Sequence, residues 1–118
     1  MSYVIGCDIG TSGTKAIVVS ESGKILSKVT VEYPLATPRP GWAEQDPESW
    51  YGAALQAVAG ALRKARVSAR DVKALGFSGQ MHSSVFLDKA GKVLRPALLW
   101  CDTRTGGECL EITRKVGE

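Results

Sequence analysis

D-I-G-T-S-G-T-K, residues 8–15, joins two short apolar runs, residues 3–7 and 16–19. Both runs are typical of buried strands, and the glycines between them are typical of a tight turn. The turn leads into a strand, and neither G-x-x-x-x-G-K-[ST] nor G-x-G-x-x-G occurs in it, which excludes the Walker A and Rossmann phosphate loops. The sequence therefore predicts a β-hairpin with a glycine-containing turn.

Downstream of this hairpin, the hydrophobic pattern predicts a third strand and then a long helix. Apolar and polar residues alternate over residues 25–33, which indicates a strand. Asp46 and Pro47 are typical of a helix N-cap and of a first helical turn. Apolar residues then recur at spacings of three and four, which predicts a helix packed on the sheet. The members of this stripe are Trp50, Ala53, Ala54, Ala57, Val58, Ala61, Leu62 and Ala65.

The second half of the chain predicts three more strands and a final helix. Residues 72–77 form an apolar run that ends at a polar segment, S-G-Q-M-H. Residues 84–87 and 93–100 are typical of two strands around a turn, and residues 103–117 predict a helix despite two glycines. Because no closing element follows the last predicted helix, we expect a chain that ends at Glu118 to be the N-terminal part of a longer domain.

Composition and charge exclude several classes of function. The 118 residues match one ordinary domain, with 44% hydrophobic and 23% charged residues. The net charge of +3 is scattered, which argues against a nucleic-acid partner. Three cysteines form neither an even set nor a C-x-x-C pair, which argues against a disulfide framework or zinc site and favours the cytoplasm. Without an apolar run of about 18 residues or an apolar leader, we expect no membrane span and no export.

Residues 8–15 also contain the groups that phosphate binding needs. Glycines at positions 10 and 13 allow backbone N–H groups to approach a phosphate, the hydroxyl groups between them add donors, and Lys15 adds a positive charge. Asp8 would repel phosphate unless it faces a Mg²⁺ ion that bridges to it. From these residues alone, a nucleotide site and a simple tight turn preceded by an acid are both open.

Four segments in order resemble one family. D-I-G-T-S-G-T-K is similar to the first phosphate loop of actin-like ATPases and, among them, of the FGGY carbohydrate kinases. Residues 41–48 (G-W-A-E-Q-D-P-E), 79–82 (G-Q-M-H) and 95–104 (R-P-A leading into W-x-D-x-R) resemble stretches of the xylulokinase branch. The resemblance spans nearly the whole chain.

The resemblance implies a fold and a reaction. The fold would be α/β and ribonuclease H-like, as in actin-like ATPases: a mixed sheet with antiparallel hairpins and flanking helices. Residues 1–118 would be the N-terminal part of the first of two domains that close over a cleft. The reaction would be transfer of the ATP γ-phosphate to D-xylulose, with Mg²⁺ and with a catalytic base that lies beyond residue 118.

The resemblance also implies roles for individual residues. Asp8 would lie near Mg²⁺ and the transferred phosphate, and Lys15 near the γ-phosphate. Met81 and His82 would contact the sugar, and Gln80 could reach a sugar hydroxyl or remain a solvated loop residue. Without the resemblance, His82 reads as a packed or surface residue. The loop residues that would hold the ATP phosphates are Gly10, Thr11, Ser12 and Gly13.

Other residues of the four segments have structural interpretations. Trp100 is expected to fill the core, Asp102 to cap the last helix and Arg104 to pair nearby. Trp42 and Glu44 are expected to serve packing in a loop before the long helix. Many family members carry Asn where Cys101 lies, so no contact is expected from that position.

Alternative functions remain open at this point. The chain could belong to another FGGY kinase, acting on a different pentulose, glycerol or gluconate. It could instead be an actin-like module that binds nucleotide without phosphorylating a sugar, which the Met81-His82 pair argues against, or a fragment without any binding activity. The piece alone is expected to lack turnover because half of the cleft would be missing, and a homodimer is open for the full-length protein.

Overall fold

A four-stranded mixed sheet forms the body of the computed structural model, which describes residues 1–117. Three strands run antiparallel in sequence order, and a later strand, β5, pairs in parallel with β1, so the order is β3-β2-β1-β5. The predicted hairpins are confirmed. The strands are β1 (Tyr3–Ile9), β2 (Gly13–Ser20), β3 (Ile25–Glu32) and β5 (Val72–Gly79).

The register of the sheet separates the face that the long helix covers from an uncovered face, which carries polar residues near the turn between β1 and β2. Cys7 lies opposite Ala16, and both are buried under the long helix. Asp8 lies opposite Lys15 on β2 and opposite Ser78 on β5, and all three are exposed. Because side chains alternate along a strand, these polar residues share the face that the helix does not cover.

The long helix α1 (Pro47–Ala65) begins and packs as its sequence predicts. The Asp46 carboxylate accepts a hydrogen bond from the Glu48 amide at 3.0 Å, which caps the helix. Ala53, Ala57 and Ala61 are buried against the sheet. These small side chains let the helix lie close enough for Ser27 Oγ to donate to the Ala61 carbonyl at 2.7 Å. The α1 stripe is therefore the main cover of the sheet.

A second, two-stranded sheet joins the segment before α1 to the end of the chain. Its strands, β4 (Glu44–Gln45) and β6 (Ala97–Leu98), pair antiparallel. The predicted strands at residues 84–87 and 93–100 are largely wrong, since they form only the bridge between Leu87 and Val93 and the short β6. The turn between them is real but local: Asp88 accepts from the amides of Ala90 and Lys92. Without a neighbouring strand among residues 1–117, the flanking residues do not extend the pairing.

The last helix, α2 (Gly106–Val116), begins later than predicted. Thr105 is its N-cap residue and makes no capping bond with its side chain. Asp102 does not cap the helix, which corrects the prediction, because its carboxylate is bonded to the amides of Ala43 and Arg104 and to the Arg104 side chain. Within residues 1–117, no helix combines the length and the apolar character that crossing a bilayer requires.

Candidate active site

The turn between β1 and β2, residues 10–13, is called the glycine loop below. Its Gly10 amide donates to the Gly13 carbonyl at 3.0 Å. The amides of Thr11 and Ser12 make no hydrogen bond to any acceptor in residues 1–117. A Cβ atom on Gly13 would lie 2.7 Å from the Val31 carbonyl oxygen, so this position requires glycine. The loop thus carries two unpaired backbone donors next to each other, as an anion site needs.

Asp8 and Lys15 flank the glycine loop on the uncovered face of the sheet. The Asp8 carboxylate is exposed and not turned into the core, and its Oδ1 accepts a hydrogen bond from Ser78 Oγ at 2.6 Å. Lys15 and Asp8 are cross-strand neighbours without a salt bridge among residues 1–117. A negatively charged and a positively charged side chain therefore both lie beside the loop.

A metal ion at Asp8 would need further ligands from elsewhere. In the part of the chain that the structure describes, no group of three or more His, Cys, Asp or Glu side chains could hold a metal. Mg²⁺ commonly binds through one or two carboxylates together with water and phosphate oxygens. A single accessible carboxylate beside a loop with unpaired amide donors fits that mode, and Asp8 is this carboxylate.

The segment after β5, residues 79–82, is called the Gln80 segment below. Because β5 is parallel to β1, both strands end at the same edge of the sheet, which brings this segment beside the glycine loop. Met81 is 59% exposed, and His82 is exposed with a φ of 61°. A non-glycine residue in this left-handed region is uncommon and is enriched at functional sites. One predicted sugar contact, His82, therefore lies in a backbone conformation that non-glycine residues rarely adopt.

One depression joins the two segments. It is lined by part of the glycine loop, part of the Gln80 segment and two further residues: Gly10, Thr11, Gly79, Gln80, Met81, Asp8 and Trp100. Trp100 is 54% exposed, so the prediction that it fills the core is wrong. Its neighbour Leu99 is buried instead, and Trp100 Nε1 donates to Thr11 Oγ1 at 3.1 Å. An aromatic wall with a polar edge thus closes one side of the depression.

Two further residues hold the glycine loop from within the protein. Tyr33 donates from its hydroxyl group to the Gly10 carbonyl oxygen, and its amide donates to the Ser12 carbonyl at 3.3 Å. Burial raises the pKa of the Tyr33 phenol above its ordinary value. Gln45 donates to the Thr11 carbonyl at 2.6 Å. Three carbonyls of the loop therefore face inward on fixed partners.

A cluster of charged residues fixes the segment that carries Gln45. Arg104 bonds to Asp102 at 2.6 Å and to Glu44 at 2.8 Å, and its guanidinium lies 3.6 Å from the centre of the Trp42 ring. Hydrogen bonds from Arg104 hold the pKa of Asp102 far below its usual range, and the bond to Asp102 raises the pKa of Arg104. The expected pairing of Arg104 is confirmed, and Trp42 packs against its guanidinium. Glu44 differs from its prediction, because it lies in β4 and not in a loop and forms an ion pair.

Comparison with known proteins identifies the family. Residues 3–118 match the model of the FGGY family of carbohydrate kinases, N-terminal domain. The chain belongs to the FGGY family of carbohydrate kinases. It is 42% identical over 118 residues to a xylulose kinase from Bacillus subtilis, covering 100% of this chain and 24% of that protein. A glycerol kinase from Acidovorax ebreus is 36% identical over 113 residues, covering 95% of this chain and 23% of that protein.

Solved structures of FGGY kinases have the same architecture. The crystal structure of a xylulose kinase from Rhodospirillum rubrum aligns with a TM-score of 0.88 and 34% identity, over 97% of this chain and 23% of that chain. The predicted actin-like fold, with a mixed sheet and flanking helices, is thereby confirmed. The chain spans about a quarter of the length of these relatives.

The FGGY fold brings the predicted site residues to one edge of the sheet. The depression is lined by Asp8, Gly10, Thr11, Gln80 and Met81, with Ser12 and Gly13 in the same loop, Lys15 opposite Asp8 on β2 and His82 next to Met81. Gln80 differs from its expected role, because both ends of its amide are bonded to protein atoms.

Sequence reasoning assigned no site role to four residues that contact this group: Tyr33, Gln45, Ser78 and Trp100. Gln45 and Trp100 lie in segments that resemble the family, so that resemblance was the available signal.

Proposed function

We propose that the protein to which this chain belongs transfers the γ-phosphate of ATP to the terminal hydroxyl of D-xylulose, in the cytoplasm, to give D-xylulose 5-phosphate. The observation that carries the proposal is the depression in which the glycine loop and Asp8 lie beside Met81 and Trp100. The similarity to xylulose kinases over the whole chain supports the choice of sugar.

The nucleotide side of the proposed site is built by the glycine loop and its flanking charges. The amides of Thr11 and Ser12 donate to phosphate oxygens, and Lys15 balances negative charge near the γ-phosphate. Asp8 would hold Mg²⁺ directly or through water, and Ser78 orients its carboxylate. The metal, when bound, neutralises charge that develops on the transferred phosphoryl group.

The sugar side of the proposed site is built by Met81, His82 and Trp100. His82 exchanges hydrogen bonds with sugar hydroxyls, and Met81 and the Trp100 ring form apolar walls. This chain positions the two substrates, and the base that accepts the hydroxyl proton comes from a later segment. The 118-residue chain alone is therefore expected to show no turnover and only weak ATP binding.

The direct test is a coupled ADP assay of the whole protein against a panel of D-xylulose, other pentuloses, glycerol and gluconate. The proposal predicts the highest kcat/KM with D-xylulose. ATP turnover that does not respond to any of these acceptors would contradict the kinase assignment.

A second candidate is a kinase of the same family with a different acceptor. The similarity to a glycerol kinase favours glycerol as that acceptor. The same panel separates the two, because glycerol lacks the extra hydroxyls that His82 is proposed to contact. A kcat/KM for glycerol above that for every pentulose would replace the first proposal by the second.

A further inference from the structure

A closed ring of side-chain hydrogen bonds joins the glycine loop to the Gln80 segment through a third residue, Gln45. Gln45 Nε2 donates to the Thr11 carbonyl at 2.6 Å. Gln80 Nε2 donates to Gln45 Oε1 at 3.2 Å, and Thr11 Oγ1 donates to Gln80 Oε1 at 3.1 Å. The two segments are thus fixed relative to each other by a residue that belongs to neither.

The Gln45 side chain has its donors and acceptor positions fully used. Besides the two ring bonds, its oxygen accepts from Trp50 Nε1 at 2.9 Å and its nitrogen donates to the Pro34 carbonyl at 3.4 Å. An indole N–H only donates and a carbonyl only accepts, so the amide has a single orientation. Gln45 is 2% exposed, so water cannot replace these bonds when they are lost.

The backbone of Gln45 is held as firmly as its side chain. Gln45 pairs with Ala97 in the small sheet, and the neighbouring Glu44 is bonded to Arg104. The ring also continues outward, because Trp100 Nε1 donates to the same Thr11 hydroxyl that belongs to the ring. A displacement of Gln45 would therefore move residues on both the nucleotide side and the sugar side of the depression.

We propose that Gln45 is a positioning residue that holds the glycine loop and the Gln80 segment in register, and thereby couples nucleotide binding to sugar binding. The proposal rests on the function proposed above. Gln45 touches neither substrate and acts through Thr11 and Gln80. Its amide cannot be replaced by a group of the same shape that lacks donors, since the Thr11 carbonyl requires one.

The test uses two substitutions in the whole protein, each with a matched control. Gln45→Glu keeps the shape and replaces the two N–H donors by a carboxyl group, and Gln45→Met removes the polar group without adding charge. The controls are Gln56→Glu and Gln56→Met, because Gln56 is exposed on α1. We expect both Gln45 variants to weaken nucleotide binding and to raise the sugar KM about tenfold each, since one unpaired buried polar group costs on that order.

Amide hydrogen exchange separates positioning from general destabilisation. We expect faster exchange in peptides that cover residues 9–14 and 79–82, with β3 unchanged. Exchange and nucleotide affinity equal to the Gln56 controls would overturn the proposal, as would faster exchange spread evenly over the sheet. A wild-type protein that phosphorylates no sugar would contradict the proposed function, while exchange at these two segments still decides the role of Gln45.

Discussion

Two turns of the same sheet, only a few residues apart, are held in opposite ways. The turn between β2 and β3 is stabilised mainly from within: the Ser20 amide donates to the Lys24 carbonyl at 2.9 Å and the Gly23 amide to the Ser20 carbonyl at 2.9 Å. The glycine loop is held by Tyr33, Gln45 and Gln80 from distant parts of the chain. The second turn therefore mainly reverses the chain, whereas the glycine loop has only one internal bond, from Gly10 to Gly13, and keeps the amides of Thr11 and Ser12 unpaired.

The largest difference between the two turns is expected when the acidic residue beside each turn is replaced. Asp8→Ala should lower kcat of the whole protein by about a hundredfold or more, because an electrostatic partner of the transferred phosphoryl group is lost. Glu21→Ala beside the second turn is the control, since Glu21 bonds only to Ser2. Steady-state kinetics check both, and an Asp8→Ala enzyme with full activity would remove the metal role.

The glycines of the two turns give the next difference. Gly13→Ala should weaken nucleotide binding about tenfold, because its Cβ would lie 2.7 Å from the Val31 carbonyl oxygen and must distort the loop. Gly23→Ala has open space around it but a φ of +81°, so it should cost about 1 kcal/mol of stability and leave binding unchanged. Calorimetric titration with ADP and thermal unfolding measure the two effects. Equal losses of nucleotide affinity in the two variants would contradict the difference between the two turns.

The sugar side should respond less than the nucleotide side, and mainly in affinity. His82→Ala should raise the KM for D-xylulose several-fold, by about the loss of one hydrogen bond, with a smaller change in kcat. The relevant control is the KM for ATP, which should stay near its wild-type value. A variant that loses ATP affinity and keeps sugar affinity would place His82 on the wrong side of the site.

The smallest effect on catalysis is expected at Asp102, which stabilises the segment around Gln45. Its pKa is lowered in the folded state, so its stabilisation is present above its unfolded pKa of about 3.9 and is lost as pH falls toward the folded value. Asp102→Asn should therefore unfold at a lower temperature near pH 7, and its difference from wild type should shrink below about pH 4. Thermal unfolding across pH measures this, and a pH-independent difference would contradict it.

Local patterns predicted most of the fold. The strands around residues 8–15 and the alanine face of α1 follow from alternation and from helical spacing, which a single segment contains. Residues 84–96 could not be predicted in the same way, because beyond the bridge between Leu87 and Val93 they find no neighbouring strand among residues 1–117. The prediction that Trp100 fills the core was wrong for a similar reason, because its indole bonds to a loop that is distant in sequence.

The functional groups of the candidate site could be predicted from the sequence, but the residues that fix the glycine loop could not. Asp8 and the glycine loop contain recognisable chemistry within eight residues. The partners that fix the loop, Tyr33 and Gln45, reach it only through pairing of distant segments, and no spacing in the sequence reports that.

Hydrogen exchange of the whole protein, with and without a Mg²⁺-bound, non-hydrolysable ATP analogue, tests whether the glycine loop binds phosphate while the turn between β2 and β3 does not, because one sample reports on both turns. We expect strong protection of the amides of Thr11 and Ser12 and no change in residues 21–24. An unchanged glycine loop, or equal protection of both turns, would contradict it.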